Sequence, residues 1–338
     1  MKAWRIVAGA QIDGLKMVDE QPKALGPRDV RVRPRAAALN FRDMMIVNGW
    51  YPLVGKDPII PGSDAAGEVI ETGAAVTRFK AGDRVATSFF PDWIEGRPTR
   101  AKLGTALGGG SEGILAQDVV LGEQALVRSP AHLTFAEAAT LSCAGVTAWH
   151  ALFASTACKP GDTVVLLGTG GVSIWALQLA KAAGLRAIIT SSSDEKLERA
   201  RGLGADATIN YRTHPDWDIE VLRHTDGAGA DLVVEVGGSK TITKSIASTR
   251  LGGTVAIIGA VSGPGGAVDP MSLIAGSTRL QGVYVGSRQM HEDLARFVEV
   301  TGIRPIVDSV FAFEDLPQAC RHFSAGKHFG KVVVGVNP

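Results

Sequence analysis

The residues whose types and spacing point most directly to chemistry are Gly168-Thr169-Gly170-Gly171-Val172-Ser173. They follow an apolar run, TVVLLG, and open a segment with helical spacing, SIWALQLAKAAG. A glycine at a strand end permits a tight turn, and a second lets the backbone approach a diphosphate. The free N–H groups and partial positive charge of the helix start then hold the anion. Gly168, Gly170, Gly171 and Val172 are therefore expected to cradle the pyrophosphate of a dinucleotide. Ser173 stands where a third glycine is usual and is small enough for close helix–strand contact.

The end of the next strand selects the nucleotide. NAD sites carry an acid about 20 residues beyond the first glycine, where it accepts from the ribose 2′-hydroxyl. This chain has Thr190-Ser191-Ser192-Ser193 there, with no acid. Hydroxyls donate to phosphate oxygens, so Ser191 and Ser192 are expected to meet a 2′-phosphate. Lys196, one helical turn on, adds a point charge. The cofactor reading is NADP(H). The same serines also suit capping a helix that begins at Asp194, and Asp194 is the acid that competes for the ribose.

These residues need a frame to hold them. The chain has 338 residues, 45% of them hydrophobic and 20% charged, which suits two globular domains. A net charge of +1 without basic or acidic blocks gives no pull toward nucleic acid or anionic membranes. The first residues lack a long apolar stretch, and no run reaches the roughly 18 apolar residues of a membrane span. Cys143, Cys158 and Cys320 are too scattered for a disulfide framework, so a reducing, cytoplasmic setting is expected. Residues 1–125 read as short strands broken by glycine and proline. VRVRPRAAAL alternates like a half-buried strand, and ILAQDVVLGEQALVRSP closes the region. From Leu133 the texture becomes strand–helix alternation: FAEAATLSCAGVTAWHALF, TVVLLG, RAIITSSS, DEKLERARGLG, ATIN, DLVVEVGG and TVAIIGAV. Short apolar strands between helices predict a parallel, doubly wound α/β sheet. Beyond Pro270, LQGVYVG and KVVVGVN read as strands and MHEDLARFVEVTG as an amphipathic helix.

Taken together, Asn40-Phe41-Arg42-Asp43, PGSDAAGEV, AGDRV, LSCAGVTAWHAL, GTGGVS, SSSDEKLERARGLGADATINY and HFGKVVV resemble the medium-chain dehydrogenase/reductase superfamily over essentially the whole chain. The resemblance implies a Rossmann sheet inserted into a GroES-like, β-rich catalytic domain, with the active site in the cleft between domains. The implied division is 1–126, 127–267 and 268–338. Zinc-dependent members carry a Cys in the segment matching NFRDMM, and Gly-His-Glu where this chain has Gly62-Ser63-Asp64. A serine hydroxyl is a poor zinc ligand, and no cysteine occurs before Cys143, so no metal is expected.

Within the zinc-independent branch the chain is similar to quinone oxidoreductases, and further site residues follow from that likeness. Asn40 and Asp43 match an Asn-x-x-Asp element that lines the nicotinamide end of the cleft. Tyr51 matches a tyrosine near the substrate, whereas a second tyrosine common in the group is replaced by Met45. Lys196 and Tyr211 match positions that hold the 2′-phosphate. Thr147, Gly237, Gly259, Val285, Ser287, Arg288 and Lys331 resemble cofactor-contacting positions. LQGVYVG resembles a strand that extends the sheet across a dimer axis, which implies a homodimer.

Without a Lewis-acid metal, charge developing on the acceptor falls to donors such as Tyr51 and Asn40. Quinones and conjugated enones need such help least, because delocalisation spreads the charge. Hydride transfer from NADPH to a quinone or enone is the leading expectation. A zinc-free NADP-dependent alcohol dehydrogenase or aldehyde reductase is the alternative, with Phe89-Phe90-Pro91-Asp92-Trp93-Ile94 as its apolar pocket. A non-enzymatic NADPH-binding protein is a third reading.

Overall fold

A computed structural model describes residues 1–51, 57–263, 265 and 267–337. The chain divides into two compact units, Met1–Val146 with Gly286–Pro338, and Thr147–Val285.

The first unit is β-rich. Its strands before the break are β1 (Lys2–Arg5), β2 (Lys16–Asp19), β3 (Asp29–Ala38), β4 (Asp64–Thr72), β5 (Arg84–Thr87), β6 (Val119–Gly122) and β7 (Leu126–Arg128). The second unit carries β8 (Thr163–Leu166), β9 (Arg186–Ser191), β10 (Ala207–Asn210), β11 (Ala230–Glu235), β12 (Thr249–Ile257) and β13 (Arg279–Gly282). The chain then returns to the first unit with β14 (Val307–Ala312) and β15 (Lys331–Gly335).

In the first unit the sheet order is β14-β15-β3-β4-β5-β7, with β6 also on β3. The alternation read in VRVRPRAAAL becomes β3, which buries Val30, Val32 and the alanines Ala36 to Ala38. The end of β3 is paired on both sides. Ala38 is opposite Asp64 of β4 on one side and Val333 of β15 on the other. This register draws three segments distant in sequence to one strand end: 38–43, 63–64 and 331.

The second unit is a six-stranded parallel sheet of order β10-β9-β8-β11-β12-β13. Its central strands β8, β9 and β11 are almost wholly buried, because helices cover a parallel sheet on both faces. The order reverses between β8 and β11, which makes the carboxyl ends of those strands the topological switch point. The loops leaving those ends are Gly168–Gly170 and Val236–Thr241. The second loop is organised by Glu235, which is fully buried. Its Oε1 accepts from Gly237 N (2.6 Å), Gly238 N (2.9 Å) and the Thr241 hydroxyl (2.7 Å), and its Oε2 accepts from the Ser245 hydroxyl.

Two details differ from the sequence reading. The expected breaks at 126/127 and 267/268 both come too early. Leu126–Arg128 pairs with β5, and the short helix Phe135–Ala138 packs on β3 and β4, so 127–146 stay with the first unit. Likewise β13 pairs with β12 and holds 268–285 in the second unit. In LQGVYVG the strand ends at Gly282, and Val285, three residues on, takes a left-handed backbone with φ 52°.

Glu235→Ala leaves two buried N–H groups and two hydroxyls without their acceptor. Urea unfolding should show a loss of about 2–4 kcal/mol, from ~1–3 kcal/mol per orphaned buried group with partial relaxation. Glu235→Gln should cost less, since its amide oxygen still accepts.

Candidate functional site

In the second unit, the helix Gly171–Ala182 begins at Gly170 with no side chain bonded to its first turn. Gly168 has φ +73°, and a Cβ added at Gly168 or Gly170 would meet nothing within 4 Å. Backbone donors at a helix start, facing open space, form a cradle for a diphosphate. Ser173, at the third-glycine position, turns its hydroxyl inward to donate to the Leu167 carbonyl at 2.6 Å. The Gly168 N–H donates to Thr190 Oγ1 at 3.3 Å, which ties the loop to the end of β9.

At that end the expected residues come together. Ser193 caps the helix Asp194–Gly202 by accepting from Lys196 N, and Ser191 accepts from Ser193 N. The Tyr211 N–H donates to the Ser191 carbonyl at 3.0 Å, leaving the Tyr211 side chain exposed. Ser192 is half-buried on the same turn. Asp194 is engaged elsewhere, since its Oδ1 accepts from Asn210 Nδ2 at 2.7 Å. Along the sheet, Gly237 follows β11 and Gly259 follows β12, and the Gly237 carbonyl accepts from Ser262 N and its hydroxyl, each at 2.7 Å. Thr147 is buried. Val285 is pinned through its carbonyl to His150 Nδ1 at 2.7 Å, and burial lowers the His150 pKa, so this ring is a neutral donor at neutral pH.

In the first unit, the end of β3 carries a buried polar cluster. Lys331 is only 3% exposed; its Nζ donates to the Leu39 carbonyl and to Asn40 Oδ1, both at 2.6 Å. Asn40 begins the helix Phe41–Val47, and its N–H donates to Asp43 Oδ2 at 2.8 Å. Asp64 is fully buried and accepts from the Ser63 hydroxyl (2.7 Å) and from Cys143 N (3.0 Å). Cys143 lies in a widened helical turn, where Gly145 N reaches back five residues to the Thr140 carbonyl, and its own N–H serves Asp64 instead. Burial pushes the Asp64 carboxyl above the ordinary Asp range; the Lys331 charge, the Ser63 hydroxyl and the Asn40 amide pull it back. The Asn40 Nδ2 group lies near enough to favour that charge yet makes no well-formed hydrogen bond. Burial and the neighbouring Asp64 push the Cys143 thiol up to about 12, which makes it inert as a nucleophile.

The remaining expected residues are spread over the first unit. Tyr51 is half-buried with its ring near Arg42. Ser287 caps the helix Arg288–Thr301, and Arg288 pairs with Glu292 (3.3 Å) and donates to Gln124 Oε1. Phe89, Phe90 and Trp93 form an aromatic cluster that is fully buried. Asp64, Arg42 and Glu235 were not singled out as site residues from sequence. For Asp64 a signal existed: an acid flanked by small and apolar residues in GSDAAGEV must be buried once that run forms a strand.

Lys331→Met removes the buried positive charge nearest Asp64. No direct Lys331–Asp64 contact exists, so the expected destabilisation is about 2–3 kcal/mol, below the ~3–5 kcal/mol of a touching buried pair. A raised folded pKa means that Asp64 favours the folded state when protonated and loses that contribution as pH rises through the raised value. The Lys331→Met deficit in urea unfolding should therefore shrink as the pH falls below neutrality, and should be smaller in the Asp64→Asn background, where the lost bonds to Leu39 and Asn40 still contribute.

Comparison with known proteins places these features in a wider group. Residues 26–131 match the family described as "Alcohol dehydrogenase GroES-like domain", and residues 171–300 match that described as "Zinc-binding dehydrogenase". A zinc-type alcohol dehydrogenase-like protein of Schizosaccharomyces pombe is 42% identical, over 99% of this chain and all of its own. A quinone oxidoreductase of Pseudomonas aeruginosa is 34% identical over 95% of both chains. A solved structure described as an NAD-dependent alcohol dehydrogenase superposes with a TM-score of 0.90 at 35% identity, covering the whole of both chains.

Proposed function

Since the chain belongs to the medium-chain dehydrogenase/reductase superfamily of oxidoreductases, we propose that it is a zinc-independent, NADPH-dependent reductase of quinones or conjugated enones. The observation that carries the cofactor choice is the end of β9. Three consecutive serines stand there, and the nearest acid, Asp194, is occupied by Asn210. A carboxylate facing the ribose would repel a 2′-phosphate; Ser191, Ser192, Lys196 and Tyr211 offer it hydroxyls and a cation instead. Gly168, Gly170, Gly171 and Val172 take the pyrophosphate, with Gly237, Gly259, Thr147 and Val285 along the nucleotide.

Zinc does not suit the residues of the first unit. The Ser63 hydroxyl is spent on Asp64, the Asn40 oxygen on Lys331, and the Cys143 thiol would have to lose a proton held up to about 12. Among the described residues no three His, Cys, Asp or Glu side chains are grouped to hold a metal. The family descriptions name zinc; this donor set argues against it.

The bound dihydronicotinamide supplies a hydride. The chain's part is to orient the acceptor and hold the charge that forms on its oxygen. Asn40 and Tyr51 are hydrogen-bond donors for that oxygen, and Asp43 fixes Asn40 by bonding its N–H. Alcohol dehydrogenase or aldehyde reductase chemistry is the second reading, favoured by the 42% identity to the zinc-type relative. We also propose a homodimer joined at β13, whose far edge is unpaired and mostly exposed. A cytoplasmic setting fits the three free cysteines. No helix of the described residues is long and apolar enough to cross a membrane.

The test is oxidation of NADPH and NADH by metal-stripped protein with a quinone, an enone and a simple aldehyde. NADPH-driven turnover of quinone or enone, indifferent to added zinc, is expected. Turnover of aldehyde alone would move the protein to the alcohol dehydrogenases, and activity restored only by zinc would overturn the metal-free reading. Lys196→Ala should raise the KM for NADPH about 10- to 100-fold, equivalent to a charge-assisted bond of ~1.5–3 kcal/mol, and leave that for NADH unchanged.

A further inference from the structure

Arg42 lies two residues beyond Asn40 on the helix Phe41–Val47, and its side chain is only 7% exposed. A guanidinium carries five N–H donors in a rigid plane and keeps its proton at any ordinary pH. Here one edge is spent: Nη2 donates to the Leu107 carbonyl at 2.6 Å. The nearest carboxylate oxygen, Asp43 Oδ1, is 3.6 Å from Nη2, beyond hydrogen-bonding distance. Among the described residues Nε and Nη1 have no hydrogen-bond partner, although both are buried. Native proteins pair the great majority of buried polar groups, and an unpaired charged donor costs more than a neutral one. A guanidinium with two open donor atoms is therefore a group waiting for an acceptor.

Its surroundings hold it in one plane. The Phe89 ring centroid is 4.3 Å from Cζ and the Tyr51 ring 5.9 Å. Beside them packs Gly109, itself buried; a Cβ there would stand 3.3 Å from Tyr51 Cε1 and 3.5 Å from Arg42 Nη1. Aromatic faces stabilise the cation without satisfying its N–H groups, so the fork stays free for an oxygen.

We propose that Arg42 is a catalytic residue that binds the substrate oxygen on which negative charge develops, and that it suits this site to conjugated carbonyl compounds. The inference rests on the reductase reading above. Hydride adds to the β-carbon of the enone, the C=C electron pair shifts to form the enolate, and the carbonyl oxygen takes the negative charge. Arg42 donates hydrogen bonds to that oxygen through Nε and Nη1 and transfers no proton. The proton that completes the reduction comes from water and is taken up at the α-carbon. A fixed guanidinium thus supplies the positive charge that a Lewis-acid metal supplies elsewhere.

The experiment compares binding of 4-hydroxycoumarin, an enolate anion at neutral pH, with that of uncharged coumarin, by calorimetry on the NADP-loaded protein. The wild type should prefer the enolate at least tenfold, Arg42→Lys should keep part of that preference, and Arg42→Gln should lose it. On an enone, Arg42→Gln should lower kcat about 100-fold with NADPH affinity unchanged. Equal binding of the two coumarins by the wild type overturns the proposal, even if Arg42→Gln fails to fold. An Arg42→Gln protein that folds and keeps its enolate preference or its kcat overturns it as well. Absence of quinone and enone turnover in the wild type, with an Arg42-dependent enolate preference intact, would sink the reductase reading and leave the anion site standing.

Discussion

The first unit depends on one constraint: Lys331, Asp64, Asn40 and Asp43 must share the end of β3 in a volume that excludes water. Each charge alone would be costly to bury. The cluster persists because most of its polar atoms are bonded: the ammonium to a carbonyl and an amide oxygen, Asp64 to a hydroxyl and a backbone N–H, and one Asp43 oxygen to the Asn40 N–H, while Asp43 Oδ1 and Asn40 Nδ2 have no hydrogen-bond partner among the described residues. The Lys331 bonds form only when β15 lies in register beside β3, so this part of the polar cluster and the sheet specify each other. A slip by one residue would turn Asp64 to the other face.

A comparable logic governs the second unit, with one buried carboxylate in place of several charges. The strand order reverses beside β11, and the loop leaving that strand has to turn sharply without blocking the crevice. Glycines permit the turn; a Cβ at Gly237 would stand 2.3 Å from the Thr241 hydroxyl. Permissive backbone is floppy unless something else holds it. Glu235 does so by collecting four donors, which converts a glycine-rich segment into a defined surface.

Local patterns made the second unit legible. Apolar strands, glycine turns and the helix start at Gly170 are encoded within a few residues of one another, and the sheet followed from their repetition. Ser191, Lys196 and Tyr211 meet because β9 and β10 are neighbours, a pairing that the βαβ pattern already implies. The polar cluster of the first unit was legible only in pieces. Asn40, Asp43 and Lys331 stood out by resemblance, but 291 residues separate Asn40 from Lys331, and no periodicity reveals that they bond. The unit boundaries were misread for a related reason. Residues 127–146 carry helix-like texture, while their allegiance is set by β7 and by packing on β3 and β4, which are tertiary facts. Arg42 stands next to Asp43 in sequence, yet its Nη2 is 3.6 Å from Asp43 Oδ1 and most of the guanidinium stays unspent, which adjacency in sequence does not reveal.

These placements bear on how one fold can work with or without a metal. A metal ion brings a divalent charge but needs several deprotonated ligands and a route for loading. The first unit here spends the corresponding positions on permanent bonds: Ser63 to Asp64, Asn40 to Lys331. Lys331 offsets Asp64 from within, so the carboxylate has no need of an ion, and the ammonium is too well coordinated to serve a ligand too. The guanidinium of Arg42 is the cation left with donors to offer, and its planar fork suits an oxygen whose charge is already shared with a conjugated system. A single alkoxide demands a stronger, more concentrated counter-charge. Two buried cations of the first unit thus differ in what they spend: Lys331 donates to a carbonyl and an amide oxygen, whereas Arg42 keeps two donor atoms without a hydrogen-bond partner among the described residues.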